Sequence, residues 1–151
     1  MKALIQRVAH ASVSVDGELC GSCDKGFLVL LGVCEGDTDE HAALLARKTA
    51  ALRVFTDENG KMNLSLTDVG GGVLAVSQFT LCADVKKGNR PSFTSSAQPD
   101  EAKRLYELYC QKIKENGVTH LETGVFGADM KVSLLNDGPV TIMLDTDIWM
   151  K

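Results

Sequence analysis

The N-terminal part of the chain has the spacing of apolar residues that β-strands require. Residues 3–8 are apolar except for the inserted pair Gln6-Arg7, and residues 11–15 alternate strictly between apolar and polar. Asp16-Gly17 follows them and predicts a hairpin turn. The run Phe27–Leu31 is apolar on both faces, so we expect it to be a buried central strand.

Two later segments have the spacing of amphipathic helices. The first begins at residues 37–40, where Asp-Thr-Asp-Glu supplies a cap and an acidic first turn. The second begins at Pro99, a residue that a helix tolerates in its first turn, and ends at Gly117. The apolar face of the first helix is predicted to contain Ala42, Leu45, Ala46, Thr49 and Leu52, and that of the second Ala102, Leu105, Tyr106, Tyr109 and Ile113.

Further strands are predicted on either side of the second helix. Residues 73–81 form a long apolar run after Gly70-Gly71-Gly72, and residues 82–98 look like a long loop of the kind that often carries function. Shorter strands are predicted at residues 62–66, 118–123, 130–135 and 140–145. Many hairpin strands with two helices predict a single α+β domain, residues 1–151, with a mainly antiparallel, β-barrel-like sheet.

The composition is typical of a globular cytoplasmic protein and unlike that of a membrane or secreted protein. The chain has 151 residues, 44% of them hydrophobic, so it can bury a core. No apolar run is long enough to cross a bilayer, and the first residues lack the features of a signal peptide. Five dispersed cysteines predict reduced thiols and a cytoplasmic location. A net charge of −4 gives no general basic surface, so any contact with RNA is expected to be small and local.

Several common kinds of site are disfavoured. Cys20-Gly21-Ser22-Cys23 is a C-x-x-C motif, but it lies between two predicted hairpin turns, whereas a redox motif opens a helix. No second cysteine pair has the spacing of a zinc site. The histidines, His10, His41 and His120, belong to no metalloprotease or hydrolase motif, although a triad that assembles only in space remains open. We therefore expect structural thiols, no metal and no cofactor.

Two short stretches carry polar residues at the ends of apolar strands. Ser77-Gln78-Phe79-Thr80 places three hydrogen-bonding side chains around one aromatic ring, a pattern that a strand emerging into water also produces. Residues 134–144, LLNDGPVTIML, place Gly138-Pro139 at the mouth of a strand. One interpretation is a hairpin turn, because Asp-Gly favours positive φ values. The other is a proline kept for its peptide geometry, such as a cis bond, which aims two carbonyls at a ligand.

Taken together, SQFTL at residues 77–81 and NDGPVT at residues 136–141 resemble the paired signature motifs of the D-aminoacyl-tRNA deacylase family, also known as the D-tyrosyl-tRNA deacylase family. The resemblance covers the whole chain. MKALIQRVAHASVSVDG, GFLVLLGV, RVFTDENGKMNLSL, KKGNRPSF and TGVFGADM also fit this family, in the expected order.

The resemblance implies a homodimer of small β-barrel-like subunits. Its activity would be hydrolysis of the ester between a D-amino acid and the terminal adenosine of tRNA, and removal of glycine mischarged on tRNA. It implies that Gly138-Pro139 is cis and reaches into the active site of the other subunit, opposite Ser77 to Thr80. A pocket of main-chain atoms around the substrate Cα would exclude L-amino acids by clash, which can be steeper than the ~1–3 kcal/mol of one methylene.

Two mechanisms stay open within this implied function. Thr80 could be the nucleophile, but no histidine or lysine lies near it in sequence to act as its base. In the alternative, which we favour, water attacks the ester with help from the ribose 2′-OH of the substrate. Main-chain N–H groups around Gln78 and Phe79 would then stabilise the oxyanion.

The implied partners are the acceptor end of a D-aminoacyl-tRNA and a second copy of the chain, with no membrane. Lys86, Lys87 and Arg90 form the nearest basic cluster, which is equally consistent with a solvated loop. Phe126 and Met130 are candidates to pack on the terminal adenine, or to belong to the core.

Two other functions compete with this one. The first is a dimeric nucleic-acid-binding module without chemistry, and the second is a hydrolase of another small ester with Thr80 as nucleophile. The acidity of the chain disfavours the binding module.

Overall fold

The long strand β1, Lys2–Val15, organises the sheet because it pairs with three other strands. The computed structural model describes residues 1–150. Strand β1 pairs antiparallel with β2 (Glu18–Cys23), with β3 (Gly26–Gly32) and with β8 (Lys131–Asp145). Asp16 and Gly17 both have positive φ between β1 and β2, which confirms the predicted hairpin turn.

The sheet is mixed, so the prediction of a mainly antiparallel sheet holds only for part of it. Strand β3 pairs in parallel with β6 (Gly72–Ser77), and β6 pairs in parallel with β7 (Leu121–Thr123). Helix α1 (Asp39–Ala51) lies between β3 and β6 in the chain, and helix α3 (Pro99–Glu115) lies between β6 and β7. Such helical crossovers return the chain in the same direction and so make parallel pairs. Strand β7 then lies beside β2, and the sheet nearly closes into a barrel.

The structure contains three α-helices within residues 1–150, one more than predicted. The additional helix, α2 (Leu66–Val69), is one turn that begins where the strand over residues 62–66 was expected to end. Ser65 and Asp68 cap it reciprocally, each side chain accepting from the main-chain N–H of the other. The strand itself is reduced to β5 (Met62–Leu64), which pairs with β4 (Phe55–Thr56). No helix in this part of the chain has the length and apolar character needed to span a membrane.

Residues 131–145 form one strand, so the hairpin interpretation of Asn-Asp-Gly-Pro is wrong. Strand β8 pairs with β1 from Asp145 opposite Lys2 to Lys131 opposite Ser14. The register shifts on both sides of Val8, opposite the tetrapeptide. Proline has no N–H to give to a ladder, so the chain bulges there and pairing resumes beyond it.

Helices α1 and α3 pack against one face of the sheet and bury the faces that the spacing predicts. Leu45 and Tyr109 are fully buried, and the Tyr109 hydroxyl donates to Oγ1 of Thr49 at 2.9 Å. A second cluster on the barrel side of the sheet contains Val8, Val13, Leu28, Leu74 and Val76. Phe27–Leu31 is buried as predicted, apart from the partly exposed Leu30.

The cysteines are only partly as predicted. The Sγ atoms of Cys34 and Cys82 are bonded, so the expectation of reduced thiols is wrong for this pair. The two residues are 48 positions apart in sequence, and their Cα atoms are 5.9 Å apart, a proximity that only the fold creates. Cys20 and Cys23, the C-x-x-C residues, lie on β2 with free thiols, as predicted for structural cysteines.

Candidate active site

A cavity of about 490 Å³ opens where β6 ends. Its walls come from the turn after β6, the segment before α3 and the segment between β7 and β8. Five of the residues that the sequence singles out line it: Ser77, Gln78, Phe79, Phe126 and Met130. The fold therefore brings the SQFTL stretch together with the VFGADM stretch, which lies about fifty residues further along the chain.

A 3-10 turn, Phe79–Cys82, displays the polar side chains of the SQFTL stretch. The predicted strand stops at Ser77 because the backbone of Gln78, with φ −147° and ψ 81°, turns away from the sheet. The Gln78 N–H donates to the carbonyl of Leu31 at 2.8 Å. Gly32 permits this approach, since a Cβ at that position would lie 3.1 Å from the Gln78 carbonyl oxygen. Strand β3 thus fixes the position of the turn.

Thr80 lies beside the cavity and is not part of its wall. Its hydroxyl is hydrogen-bonded to the side-chain amide of Gln78, which has no basic nitrogen to accept the hydroxyl proton. Within residues 1–150, no histidine or lysine lines the cavity. Phe79 and Thr80 are the first two residues of the 3-10 turn, so their N–H groups have no acceptor inside it and are free for a ligand.

Phe126 and Met130 give the cavity an apolar wall. The Phe126 ring lies 6.0 Å from the ring of Tyr106, whose hydroxyl donates to the carbonyl of Ala75 at 2.8 Å. Burial raises the pKa of Tyr106 far above its usual range, so this hydroxyl stays neutral. A Cβ at Gly124 would lie 2.5 Å from the Met130 sulfur, so only glycine lets Met130 take this position.

The segment before α3 supplies wall residues that sequence reasoning missed. Ser96 lines the cavity, and its hydroxyl donates to the carbonyl of Phe79 at 3.3 Å. The rings of Phe79 and Phe93 meet edge to face, with centroids 5.0 Å apart. Ser96 is a small polar residue within a predicted loop, and no sequence pattern distinguishes it from its neighbours. Lys86, Lys87 and Arg90 are exposed further back in the same loop and form no ion pair with the described residues.

Gly138 and Pro139 lie on the bulge of β8, exposed and joined by a cis peptide bond. The described part of the chain does not bring them into its own cavity. Asn136 supports the bulge, since its side-chain amide donates to the carbonyls of Arg7 at 2.9 Å and of Val140 at 3.0 Å. The pair is therefore a fixed projection and lies outside the cavity wall.

Arg7 is a second residue of the site that the sequence analysis did not select. Its Nε donates to the carbonyl of Asp137 at 3.0 Å, and its Nη1 donates to the carbonyl of Val54 at 2.6 Å. A charged residue inside the apolar run of residues 3–8 is the signal that could have identified it. Arg7 holds the residue that precedes Gly138 and so belongs to the support of the bulge.

The cavity contains little charge. Asp129 is the only carboxylate in the wall formed by the described residues, and its Oδ1 lies 3.2 Å from the Nζ of Lys131. His41 accepts from the N–H of Thr38 at the start of α1, so its role is helix capping. Among residues 1–150, no group of three histidine, cysteine or carboxylate side chains is placed to hold a metal ion. The arrangement suits chemistry by main-chain hydrogen bonds and apolar contacts.

Comparison with known proteins gives matches over almost the whole chain. The sequence profile of the family described as D-Tyr-tRNA(Tyr) deacylase matches residues 4–145. A protein named D-aminoacyl-tRNA deacylase from Thermus aquaticus is 58% identical over 146 residues, which cover 97% of this chain and 95% of that protein. One of the same name from Rhodopirellula baltica is 52% identical over 145 residues, 96% of this chain and 99% of that protein.

Two solved structures are similar to this one. The c-Myc DNA Unwinding Element Binding Protein is 41% identical, with a TM-score of 0.91 over 96% of this chain and 98% of that chain. A structure described as a probable eukaryotic D-amino acid tRNA deacylase is 18% identical, with a TM-score of 0.78 over 95% of this chain and 97% of that chain. The second likeness shows only that the fold is shared.

Proposed function

The chain belongs to the D-Tyr-tRNA(Tyr) deacylase family, and from this premise we propose that it is an enzyme that hydrolyses the ester bond of D-aminoacyl-tRNA. The products are a free D-amino acid and tRNA. The observation that carries the proposal is the cavity at the end of β6, because a family match across residues 4–145 coincides with a pocket built from the SQFTL stretch. We expect the activity to reside in the single domain of residues 1–151 and to act in the cytoplasm, where tRNA is charged.

In this proposal the cavity holds the terminal adenosine and the aminoacyl ester. Phe126 and Met130 pack on the adenine, because they form the apolar side of the wall. The ester lies against the turn at Gln78 and Phe79. Only the end of the acceptor strand enters, with the exposed Lys86, Lys87 and Arg90 near its phosphates. A contact this small is compatible with a net charge of −4.

The chemistry is water attack on an ester that is already activated. The free N–H groups of Phe79 and Thr80 are the donors that stabilise the developing oxyanion. The N–H of Gln78 is not available, because it is bonded to Leu31. The 2′-OH of the terminal ribose assists the water, since the described part of the wall has no histidine or lysine and its only carboxylate, Asp129, lies 3.2 Å from the Nζ of Lys131.

Selection of the D-enantiomer requires a second copy of the chain. Gly138-Pro139 is exposed on β8, and Leu135 and Met143 on the same strand are 54% and 44% exposed. Two exposed apolar side chains beside a projection that Arg7 and Asn136 hold suit a homodimer in which the projection enters the partner's cavity. The main-chain carbonyls of Gly138 and Pro139 then hold the substrate amino group and occupy the space of an L side chain. Glycine has no side chain to clash, so glycyl-tRNA is also a substrate.

The test is release of tyrosine from D-tyrosyl-tRNA with the enzyme far below the substrate concentration. We expect many turnovers per enzyme, no turnover of L-tyrosyl-tRNA, and turnover of glycyl-tRNA. EDTA should leave the rate unchanged, because among residues 1–150 no group of three histidine, cysteine or carboxylate side chains is placed to hold a metal ion. The absence of turnover on D-tyrosyl-tRNA by folded protein would refute the proposal.

A nucleic-acid-binding role without chemistry is the second candidate, favoured by the 41% identity to a protein named for binding a DNA element. The same assay separates the two functions. A binding module would retain tRNA or DNA stoichiometrically and show a steep fall of affinity with salt, whereas an enzyme that docks only the acceptor end should show a shallow one.

A further inference from the structure

The bond between Cys34 and Cys82 joins the segment after β3 to the 3-10 turn whose first residue, Phe79, lines the cavity, and nothing in the proposed chemistry uses it. Cys82 is the last residue of the 3-10 turn that begins at Phe79. Cys34 follows β3 and forms a β-bridge with Ser96, which lines the cavity. We propose that Cys34 and Cys82 form a reversible thiol–disulfide switch that sets the rigidity of the active-site turn.

The contacts around the bond form a closed ring. Cys34 is paired with Ser96, the Ser96 hydroxyl donates to the carbonyl of Phe79, and the turn leads from Phe79 to Cys82, which is bonded to Cys34. Adjacent main-chain bonds reinforce the pairing, with the Glu35 N–H donating to Ser95 at 2.8 Å. The Cys34–Cys82 bond is the only covalent cross-link of this ring, and a reductant can open it without a substitution.

One end of the bond is accessible to a reductant. Cys34 is partly exposed, whereas Cys82 is only 3% exposed. A thiolate can attack the Cys34 sulfur and release Cys82 as the thiolate, which takes up a proton. The second thiol of a dithiol reductant then attacks the mixed disulfide and releases Cys34. In total the protein gains two electrons and two protons, and the dithiol becomes a disulfide.

The proposed location of the enzyme determines the redox conditions that the Cys34–Cys82 bond meets. At this step the inference rests on the proposed function. A protein that acts on charged tRNA meets the reducing conditions of the cytoplasm, where disulfides are usually transient, catalytic or redox-sensing. The reduced turn keeps its hydrogen bonds from Gln78 to Leu31 and from Ala83 to Thr80. Reduction should therefore loosen the turn without unfolding the protein. A less rigid set of oxyanion donors lowers the rate, because catalysis depends on their preorganised position.

The experiment compares protein equilibrated with oxidised or reduced dithiothreitol. Alkylation followed by mass spectrometry should show Cys34 and Cys82 bonded in the oxidised sample and both alkylated in the reduced sample. On reduction we expect amide exchange to accelerate about tenfold at Leu81 and Ala83, whose N–H groups are hydrogen-bonded to Gln78 and Thr80. The kcat for D-tyrosyl-tRNA should fall about three- to tenfold. The double variant C34S/C82S should match the reduced protein under both conditions.

Cys20→Ser is the matched control, since Cys20 is a free, exposed cysteine on β2 and its variant should keep the full redox response. Burial raises the pKa of Cys23 to about 11 and that of Cys110 to about 12, so these thiols should stay unreactive in both samples. Failure of the bond to form with oxidised dithiothreitol would overturn the inference. Equal exchange at Leu81 and Ala83 in both samples would overturn it too. If neither sample hydrolyses D-tyrosyl-tRNA, the proposed function fails, and the exchange data alone decide the switch.

Discussion

The guanidinium of Arg7 on β1 donates to the main-chain carbonyl of Asp137 on β8 at 3.0 Å, and so anchors the residue immediately before Gly138-Pro139. The same side chain, which is only 12% exposed, holds the carbonyl of Val54. One largely covered cation therefore connects the bulge to the body of the subunit. In the proposed dimer, the position of the bulge in the partner's cavity depends on this side chain.

Arg7→Lys should lower deacylation while the protein stays folded. Lysine carries a single point donor and cannot hold both carbonyls in the geometry of the guanidinium. Loss of one charged hydrogen bond is worth ~1.5–3 kcal/mol, so we expect kcat/KM for D-tyrosyl-tRNA to fall by roughly 10- to 100-fold. Arg53→Lys is the matched control, because Arg53 donates to the carbonyl of Asn63 outside the cavity. Wild-type activity in Arg7→Lys would contradict the anchoring role.

Thr80→Ala should retain most of the activity. The hydroxyl of Thr80 contacts only the amide of Gln78 and has no base to activate it. If water is the nucleophile, the variant should lose less than about tenfold in kcat, whereas removal of a true nucleophile costs on the order of 10⁴-fold or more. Single-turnover deacylation, with circular dichroism to verify folding, distinguishes the two. A loss of the larger size would establish Thr80 as the nucleophile.

Elements of the fold could be predicted from the sequence where helical spacing or a turn motif alone determined the local structure. The faces of α1 and α3 follow from residues such as Leu45 and Tyr109 at helical spacing, and the first hairpin follows from Asp16-Gly17. The parallel pairing of β3 with β6 did not follow, because strand direction depends on the crossover helix and leaves no local pattern. The continuity of β8 was also missed, since Asp-Gly-Pro usually ends a strand and here only bulges it.

The residues of the candidate site also divide into those that the sequence analysis selected and those that it missed. Gln78, Phe79, Phe126 and Met130 were found through motifs, and the structure places all four around one cavity. Ser96 was missed because its role arises from the path of a loop. Cys34 and Cys82 were missed because their partnership depends on two turns that the fold alone brings together.

The two hydroxyl groups of the buried pair Thr49 and Tyr109 should contribute unequally to the free energy of unfolding. Thr49 accepts from Tyr109 and also donates to the carbonyl of Leu45 at 2.8 Å. Tyr109→Phe leaves Thr49 with its own acceptor and should cost ~0.5–1.5 kcal/mol of unfolding free energy. Thr49→Val leaves the hydroxyl of the fully buried Tyr109 without its acceptor and should cost ~1–3 kcal/mol of unfolding free energy. Urea unfolding at neutral pH would measure both, and a larger loss for Tyr109→Phe would contradict this account.

Acid should weaken the link between the two long helices. The Arg104 guanidinium lies 2.7 Å from Asp39 and 2.6 Å from Glu101, and its hydrogen bonds lower the pKa of both carboxyls. Groups whose pKa is depressed in the folded state add stability above their unfolded pKa and lose it as pH falls through the folded value. Arg104→Gln should therefore be less stable than wild type at pH 7, and the difference should disappear as pH falls through the lowered pKa values of Asp39 and Glu101.

Urea unfolding across this pH range makes the comparison. Lys103→Gln is the control, because Lys103 reaches only Glu107, at 4.0 Å. A difference between Arg104→Gln and wild type that stays constant with pH would show that packing, and not charge, sets the effect of Arg104.

Complementation between two inactive variants tests whether the site is shared between subunits. Ala128→Trp fills the cavity of its own subunit, because Ala128 lies in the wall. Gly138→Val disables the projection, because Gly138 has φ +130° and an added Cβ would lie 2.9 Å from Nη2 of Arg7. Each homodimer should be folded and inactive. A mixed dimer has one site with both lesions and one site that joins an intact cavity to an intact Gly138-Pro139 from the other chain.

Each heterodimer should therefore have about half of the activity of a wild-type dimer if each site is built from two subunits. If both elements served the same subunit, every site would carry one lesion and mixing would restore nothing. Subunit exchange must be verified by native mass spectrometry of differently tagged chains. A verified heterodimer without activity would rule out the shared site, and an active Gly138→Val homodimer would show that the projection is not needed for the reaction.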